Sequence, residues 1–189
     1  MKEGKLIILS APSGAGKTTI VKYLTENIPN LTFSVSATTR EPRKGEKEAV
    51  DYYFLSVEEF GAKIENKEFI EYENVYPGLY YGTLHSEVDR IWNSGKDAAI
   101  DMDVMGGMHL KEIFGERALS IFIKPPSIEV LEQRLRKRGT ETEEKISMRL
   151  MKAEKEIESA PKFDVVVLND MLEIAIQEVV SEVTEFLAK

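Results

Sequence analysis

The chain has 189 residues, of which 42% are hydrophobic and 31% charged, with a net charge of −8 and no cysteine. These values describe one sizeable globular domain with room for small inserted lobes, and they exclude an extended nucleic-acid surface, disulfides, thiolate nucleophiles and Cys-based metal sites. The two histidines, His85 and His109, are too few for a His-rich metal cluster, no apolar run approaches the ~18 residues of a membrane span, and no signal peptide precedes the first strand; a cytoplasmic setting is expected, with no membrane, nucleic-acid or obligatory protein partner.

The first element is an apolar run, Lys5 to Ser10, which reads as a buried strand. Ala11-Pro12-Ser13-Gly14-Ala15-Gly16-Lys17-Thr18 follows at once, and a helix is predicted from Thr18 to Ile28, with Ile20, Val21, Leu24 and Ile28 on one face and Pro29 as its stop. Strand, Gly-rich loop, Lys-Thr and helix form the context of a P-loop. Backbone N–H groups in such a loop hold phosphate oxygens, and the helix N-terminus adds its positive dipole end. Lys17 is then placed to reach the transferring phosphates and the Thr18 hydroxyl to ligate Mg²⁺. Ala11 stands where the strict pattern has Gly, so the tight backbone rests on Gly14 and Gly16. The competing reading is an ordinary strand-to-helix turn. Even as a phosphate cradle, the loop alone fits an ATPase, a GTPase or any of many kinases.

Further along, Phe33 to Ser36 is predicted as a short strand, Ala37 to Asp51 as an exposed loop and Tyr52 to Leu55 as a strand. Ser56-Val57-Glu58-Glu59 is a capping box that starts a helix ending near Asn66. Phe69 to Val75 is strand-like and Pro77-Gly78 marks a turn. A helix is predicted from His85 to Asn93, a buried strand from Asp97 to Asp103, a short helix from Met105 to Phe114 and a strand from Ala118 to Ile123. A helix from Ser127 to Arg138 is broken at Gly139. Thr140-Glu141-Thr142-Glu143 offers a second capping box, and a long charged helix runs to Ser159. Phe163 to Leu168 reads as a final buried strand, followed by a helix to Leu187. Alternating strands and helices imply an α/β fold with a parallel sheet flanked by helices, and ligands in such sheets bind at the carboxyl ends of the strands.

Arg40 and Arg43 lie three apart in the polar stretch Ser36-Ala37-Thr38-Thr39-Arg40-Glu41-Pro42-Arg43. Paired exposed arginines are most often a solvated charge run. Beside a P-loop they fit a second phosphate site, because phosphoryl transfer needs an acceptor as well as a donor, and Arg forks grip phosphate oxygens in two-pronged fashion. Glu71, taken alone, is a strand-edge surface charge. Tyr52, Tyr53, Tyr80 and Tyr81 sit on strands, where alternation sends neighbours to opposite faces.

Ser36-x-Thr38-Thr39-Arg40-x-Pro42-Arg43, Asp51-Tyr52-x-Phe54, Phe69-Ile70-Glu71 and Tyr80-Tyr81-Gly82-Thr83 together resemble the guanylate kinase family. The resemblance continues through Ile100-Asp101-Met102-Asp103, Pro125-Pro126-Ser127, Arg138-Gly139-Thr140-Glu141-Thr142-Glu143 and Asn169-Asp170, and so spans nearly the whole chain. It implies the P-loop nucleoside monophosphate kinase fold as one domain: a core over residues 1–33, 85–133 and 160–189, a β-rich GMP-binding lobe over 34–84, and a helical lid over 134–159. The activity implied is transfer of the γ-phosphoryl of ATP to GMP, with dGMP as a further acceptor, supported by Mg²⁺.

Residue by residue, the resemblance implies that Arg40, Arg43, Tyr52 and Tyr81 hold the GMP phosphate. Glu71 takes guanine N1–H and the N2 amine, Ser36 and Thr83 complete the base contacts, and Asp103 touches the amino side. A carboxylate only accepts, so it suits an edge that offers two donors, an edge adenine lacks. Ala11 to Thr18 hold the ATP phosphates and Asn169 borders a loose adenine pocket. Lys17, Arg134, Arg138 and Arg149 act on the transferring phosphoryl group, and Asp101 orients Mg²⁺-bound water. Met105 departs from the Gln often found in the family after the Asp-x-Asp pair. No general base is required, because the attacking phosphate oxygen is already ionised near neutral pH. Two rival readings are a phosphotransferase with another acceptor, such as a ribose bisphosphate kinase, and a guanylate-kinase-like module that binds peptides. The base-reading Glu71 and Ser36 argue against the first, and intact Lys17-Thr18 against the second.

Overall fold

The computed structural model describes residues 4–138 and 142–189; the side chains of Tyr76 and Arg138 also fall outside the description. In chain order the elements are β1 (Leu6–Ser10), α1 (Lys17–Asn27), β2 (Leu31–Phe33), β3 (Ala37–Thr38), β4 (Tyr53–Phe54), α2 (Val57–Glu65), β5 (Phe69–Tyr76) and β6 (Leu79–Leu84). They continue as α3 (His85–Asn93), β7 (Asp97–Met102), α4 (Val104–Phe114), β8 (Ala118–Lys124), α5 (Ile128–Arg138), α6 (Glu143–Glu158), β9 (Val165–Leu168) and α7 (Leu172–Ala188). Among the described residues no helix is long and apolar enough to cross a membrane.

The main sheet has the order β2-β7-β1-β8-β9 and is parallel throughout. β1 lies at its centre with every residue buried, which is why its sequence is a continuous apolar run and not an alternating one. Alternation sorts its side chains between two cores. Ile7 and Leu9 join Ile20, Leu24, Leu131, Val179 and Val183 from α1, α5 and α7. Leu6 and Ile8 join Val88, Ile91 and Leu110 from α3 and α4 on the other face.

A second sheet, β4-β3-β6-β5, carries α2. The capping box at Ser56 and Glu59 forms in full, and α2 buries Phe60, whose ring stacks on Phe69 at 4.3 Å and on Tyr80 at 5.3 Å. The strand expected over 33–36 lies earlier, at Leu31–Phe33, and 34–36 form a crossing between the sheets. Ser34 N–H donates to the Ala99 carbonyl of the main sheet at 2.9 Å, and pairing with the second sheet resumes at Ala37. Ala37 and Thr38 are therefore fully buried, which corrects the expectation of an exposed loop there.

Glu87, at the start of α3, fastens the two sheets together. It is only 2% exposed and accepts from Val35 N–H at 3.1 Å, Tyr53 O–H at 3.0 Å and the Arg90 guanidinium at 2.8 and 2.9 Å. Burial pushes its carboxyl up, but the hydrogen bonds from Arg90, Val35 and Tyr53 outweigh that and hold it below the ordinary 4.5. Such a carboxylate stabilises the fold fully above its unfolded-state value, and the contribution fades as pH falls through the lower folded value. Glu87→Ala is expected to cost about 3 kcal/mol in urea unfolding at neutral pH, because buried donors lose their acceptor. The difference from the parent should shrink well below pH 4.5; a constant difference would assign the loss to packing alone.

One further expectation is corrected and one lies outside the described residues. β9 is the open edge of the main sheet, so Val166 and Leu168 are 40% and 51% exposed where a buried strand was expected. The N-cap of α6 is Thr142, accepting from Lys145 N–H; the expected box at Thr140, with Gly139 and Glu141, lies outside the described residues.

Candidate functional site

The site forms where the carboxyl ends of β1 and β7 meet. Their register sets Leu9 opposite Asp101 and Ser10 opposite Met102, so the loop after β1 and the acids that end β7 emerge side by side. Gly14 and Gly16 take φ of 95° and 98°, a left-handed conformation that favours glycine, and Gly16 caps α1. A Cβ at Gly16 would also run into Asn169 Nδ2. The loop therefore turns tightly with its amides next to the α1 N-terminus. Ala11, Pro12, Ser13 and Ala15 complete it, and Ala15 N–H donates to the Pro12 carbonyl at 3.0 Å.

Lys17 Nζ sits 2.6 Å from Asp101 Oδ1 and donates to the Met102 carbonyl. The Thr18 hydroxyl donates to Asp101 Oδ2 at 3.2 Å. A hydroxyl and a carboxylate side by side are the hard oxygen donors that Mg²⁺ prefers, so these residues fit that ion. Asn169 is 3% exposed; its Nδ2 donates to the Ala15 carbonyl at 2.7 Å and its Oδ1 is buried with no partner among the described residues. The residue expected beside adenine thus also fastens the loop from the end of β9.

Two arginines reach this centre from α5 and α6. Arg134 Nη2 donates to the Asn169 carbonyl at 2.9 Å, and Arg149 Nη1 donates to the Ser13 hydroxyl. The third expected arginine, Arg138, has a side chain outside the described residues.

The second sheet supplies the facing wall. Arg40 lies over the Tyr52 ring at 5.1 Å and the Phe54 ring at 5.8 Å, and Tyr52 meets Tyr81 edge-on at 5.9 Å. Burial pushes the Tyr52 hydroxyl up to about 12, so it remains a donor at neutral pH. Tyr53 and Tyr80 pack on the other side, against the cluster of Ala37, Phe60, Phe69 and Leu84, as strand alternation requires. Arg40 is also gripped by Glu46 with Nη–Oε distances of 2.8 and 3.0 Å, and this pairing raises the guanidinium pKa further. Glu46 was not singled out from the sequence: six residues beyond Arg40 in a charged stretch, it resembles any solvated acid. Arg43 is exposed, with its backbone N–H on Glu46 at 2.7 Å.

Deeper in, Glu71 is 7% exposed and accepts from the Thr83 hydroxyl at 2.8 Å. Burial, with Asp103 adding to it against the Thr83 bond, pushes its carboxyl up to about 7. This rules out the reading of Glu71 as a surface charge. Gly106 faces it closely enough that a Cβ there would stand 3.2 Å from Glu71 Oε2. Ser36 is half-buried at the crossing between the sheets.

Asp103 Oδ1 caps α4 by accepting from Gly106 N–H at 2.9 Å, which starts that helix at Val104 instead of Met105. Glu73 hydrogen-bonds Asp103, and that bond together with burial pushes the Glu73 carboxyl up. Lys152 of α6 stands 3.7 Å from Asp103 Oδ2 and 3.5 Å from Glu156 Oε1. Neither Glu73, Lys152 nor Glu156 carries a local sequence signal; only the period-two spacing from Glu71 to Glu73 hinted that those two share a strand face.

Comparison with known proteins follows this geometry. The family model described as Guanylate kinase matches residues 3–186. A guanylate kinase of Bacteroides thetaiotaomicron is 53% identical over 186 residues, covering 98% of this chain and 91% of the relative. One from Porphyromonas gingivalis is 51% identical over 186 residues, covering 98% and 99%. Among solved structures, the crystal structure of guanylate kinase from Anaplasma phagocytophilum superposes with a TM-score of 0.80 at 32% identity, covering 98% of this chain and 87% of that one.

Proposed function

The chain belongs to the guanylate kinase family, and from that premise we propose that it transfers the γ-phosphoryl group of ATP to the phosphate of GMP, giving ADP and GDP. Its fold is the P-loop nucleoside monophosphate kinase fold. The observation that carries the reading is Glu71: a carboxylate buried to 7% exposure, braced by Thr83, opposite a phosphate loop with its lysine in position.

The donor nucleotide lies along residues 11–18. Loop amides hold its β- and γ-phosphates, and Lys17 exchanges part of its contact with Asp101 for phosphate oxygens. Mg²⁺ when bound neutralises phosphate charge, and Thr18 with Asp101 would hold it. On the acceptor side, Arg40, Arg43, Tyr52 and Tyr81 hold the GMP phosphate, which requires Arg40 to share or release Glu46. Glu71, Ser36, Thr83 and Asp103 take the base. An ionised oxygen of the GMP phosphate attacks the γ-phosphorus in line, the bond to the β–γ bridging oxygen breaks, and ADP leaves with that electron pair. Lys17, Arg134, Arg138 and Arg149 stabilise the charge spread over the transferring oxygens. On this reading residues 34–84 are the GMP-binding lobe and 134–159 the lid, both closing on a core formed by the rest of the chain. The proposal extends to dGMP as a further acceptor.

Initial rates of ADP release with GMP, AMP, CMP and UMP test the assignment. GMP should exceed the others by orders of magnitude; equal rates with any acceptor, or with none, would remove it. The raised Glu71 carboxyl adds a pH prediction. Below about 7 the group is mostly protonated and turns a proton toward guanine's donors. KM for GMP should therefore rise about tenfold per pH unit as pH falls below that value. GMP's own phosphate also titrates near pH 6, so the Glu71→Gln variant, which retains only that second titration, is the control. Parallel profiles for the two proteins would contradict the assignment of Glu71.

A further inference from the structure

α6 brings two cations to the site from positions three apart, which is neighbouring placement on one helix face. Arg149 bonds the loop hydroxyl of Ser13, on the donor side. Lys152 stands 3.7 Å from Asp103 Oδ2, on the acceptor side. Asp103 has a divided role: Oδ1 is held by Gly106 N–H at the α4 N-terminus, so Oδ2 is the oxygen left to face other groups. Glu73 bonds the same carboxylate from β5, two residues beyond Glu71 and on the same strand face. Glu156, one turn along α6, lies 3.5 Å from Lys152 and keeps its ammonium directed into this acid group. The cluster thus joins β5 of the second sheet, the α4 N-terminus of the core and α6.

We infer that Lys152 is a positioning residue that holds the free oxygen of Asp103 toward the acceptor base and thereby couples occupation of the base site to the seating of Arg149 on the donor loop. It acts through Asp103 and not on either nucleotide. The inference rests on the proposed contact between Asp103 and guanine. A base that fills the site orders Asp103, Asp103 holds Lys152, and Lys152 fixes the face of α6 that carries Arg149. Asp103 and Glu156 present like charges here, and without Lys152 between them their repulsion would drive α6 away from the acceptor side.

Steady-state kinetics on the intact protein, varying GMP and ATP separately, provide the test. The Lys152 and Asp103 side chains are 51% and 26% exposed, so solvent screens the pair. Lys152→Met should raise KM for GMP about five-fold, the upper range for such a pair. It should lower kcat as Arg149 is less often seated, and leave KM for ATP within about two-fold. Lys152→Arg, which keeps the charge, should restore KM for GMP. In an Asp103→Asn background, Lys152→Met should add little, since the path it acts through is already cut. An equal rise in both KM values, or full additivity with Asp103→Asn, would overturn the inference in favour of general loosening of α6. If Asp103→Asn raises KM for GMP and Lys152→Met does not, the role of Lys152 fails and the base contact stands. If Asp103→Asn itself leaves KM for GMP unchanged, the base contact fails and the inference with it.

Discussion

Lys17→Ala should lower kcat by about 10³-fold, with KM for GMP little changed. The ammonium stands 2.6 Å from Asp101 and bonds the Met102 carbonyl, which holds it at the carboxyl end of β7. A positive charge positioned there stabilises the negative charge that shifts onto the β–γ bridging oxygen. Truncation removes that charge from the point proposed for the meeting of donor and acceptor phosphates, while Arg149 stays bonded to the Ser13 hydroxyl. The proposed guanine contacts, Glu71, Thr83, Ser36 and Asp103, are untouched by the truncation and should keep their affinity. A comparable loss in kcat/KM expressed only through KM for ATP would reduce Lys17 to a ground-state ligand. Thermal unfolding of the variant separates this from a folding defect, since Lys17 is part of neither apolar core.

Glu71→Gln should reduce kcat/KM for GMP by about 10³-fold and leave the weak rates with AMP nearly unaltered. The carboxylate offers two acceptor oxygens, one already bonded to the Thr83 hydroxyl at 2.8 Å. An amide keeps the shape but replaces one acceptor by a donor. If its oxygen stays on Thr83, the NH₂ group faces guanine's N1–H and N2 amine, donor against donor. If it turns over, guanine keeps one acceptor and loses the other. Buried polar groups left unpaired are what allow such sites to reject the wrong partner by orders of magnitude. Unchanged preference for GMP over AMP would remove Glu71 from base recognition. The neutral amide also avoids the cost of ionising a buried carboxyl, so the variant should be at least as stable as the parent above pH 7.

Much of the architecture could be read from local pattern. The all-buried β1, the glycine-tightened loop, the capping box at Ser56, the turn at Pro77-Gly78 and the span of α3 each follow from residues adjacent in sequence. Strand alternation set Tyr52 apart from Tyr53 and Tyr81 from Tyr80, and the family resemblance chose which of each pair faces the ligand. What escaped was long-range and charged. Glu87 bridges to Val35 and Tyr53, 52 and 34 residues away, and its helical spacing resembles that of any solvated acid. Lys152 and Asp103 come from different elements, and no periodicity links them. Glu46 competes for Arg40 within a loop whose polarity predicts only exposure. Ala37 and Thr38 were lost for a related reason: a two-residue strand is too short to show alternation. The exposed face of β9 was missed because an edge strand rich in Val has the same sequence appearance as a central one.

The central claim is that a phosphoryl group passes directly from the donor loop to an acceptor held by the second sheet. Phosphorus NMR of the protein with ATP, Mg²⁺ and GMP follows that group itself. The account predicts that the γ-phosphoryl signal of ATP is replaced by the β-phosphoryl signal of GDP in step with the appearance of ADP, and that inorganic phosphate stays at background. Inorganic phosphate formed in place of GDP would contradict it, leaving a nucleotide hydrolase behind the same loop.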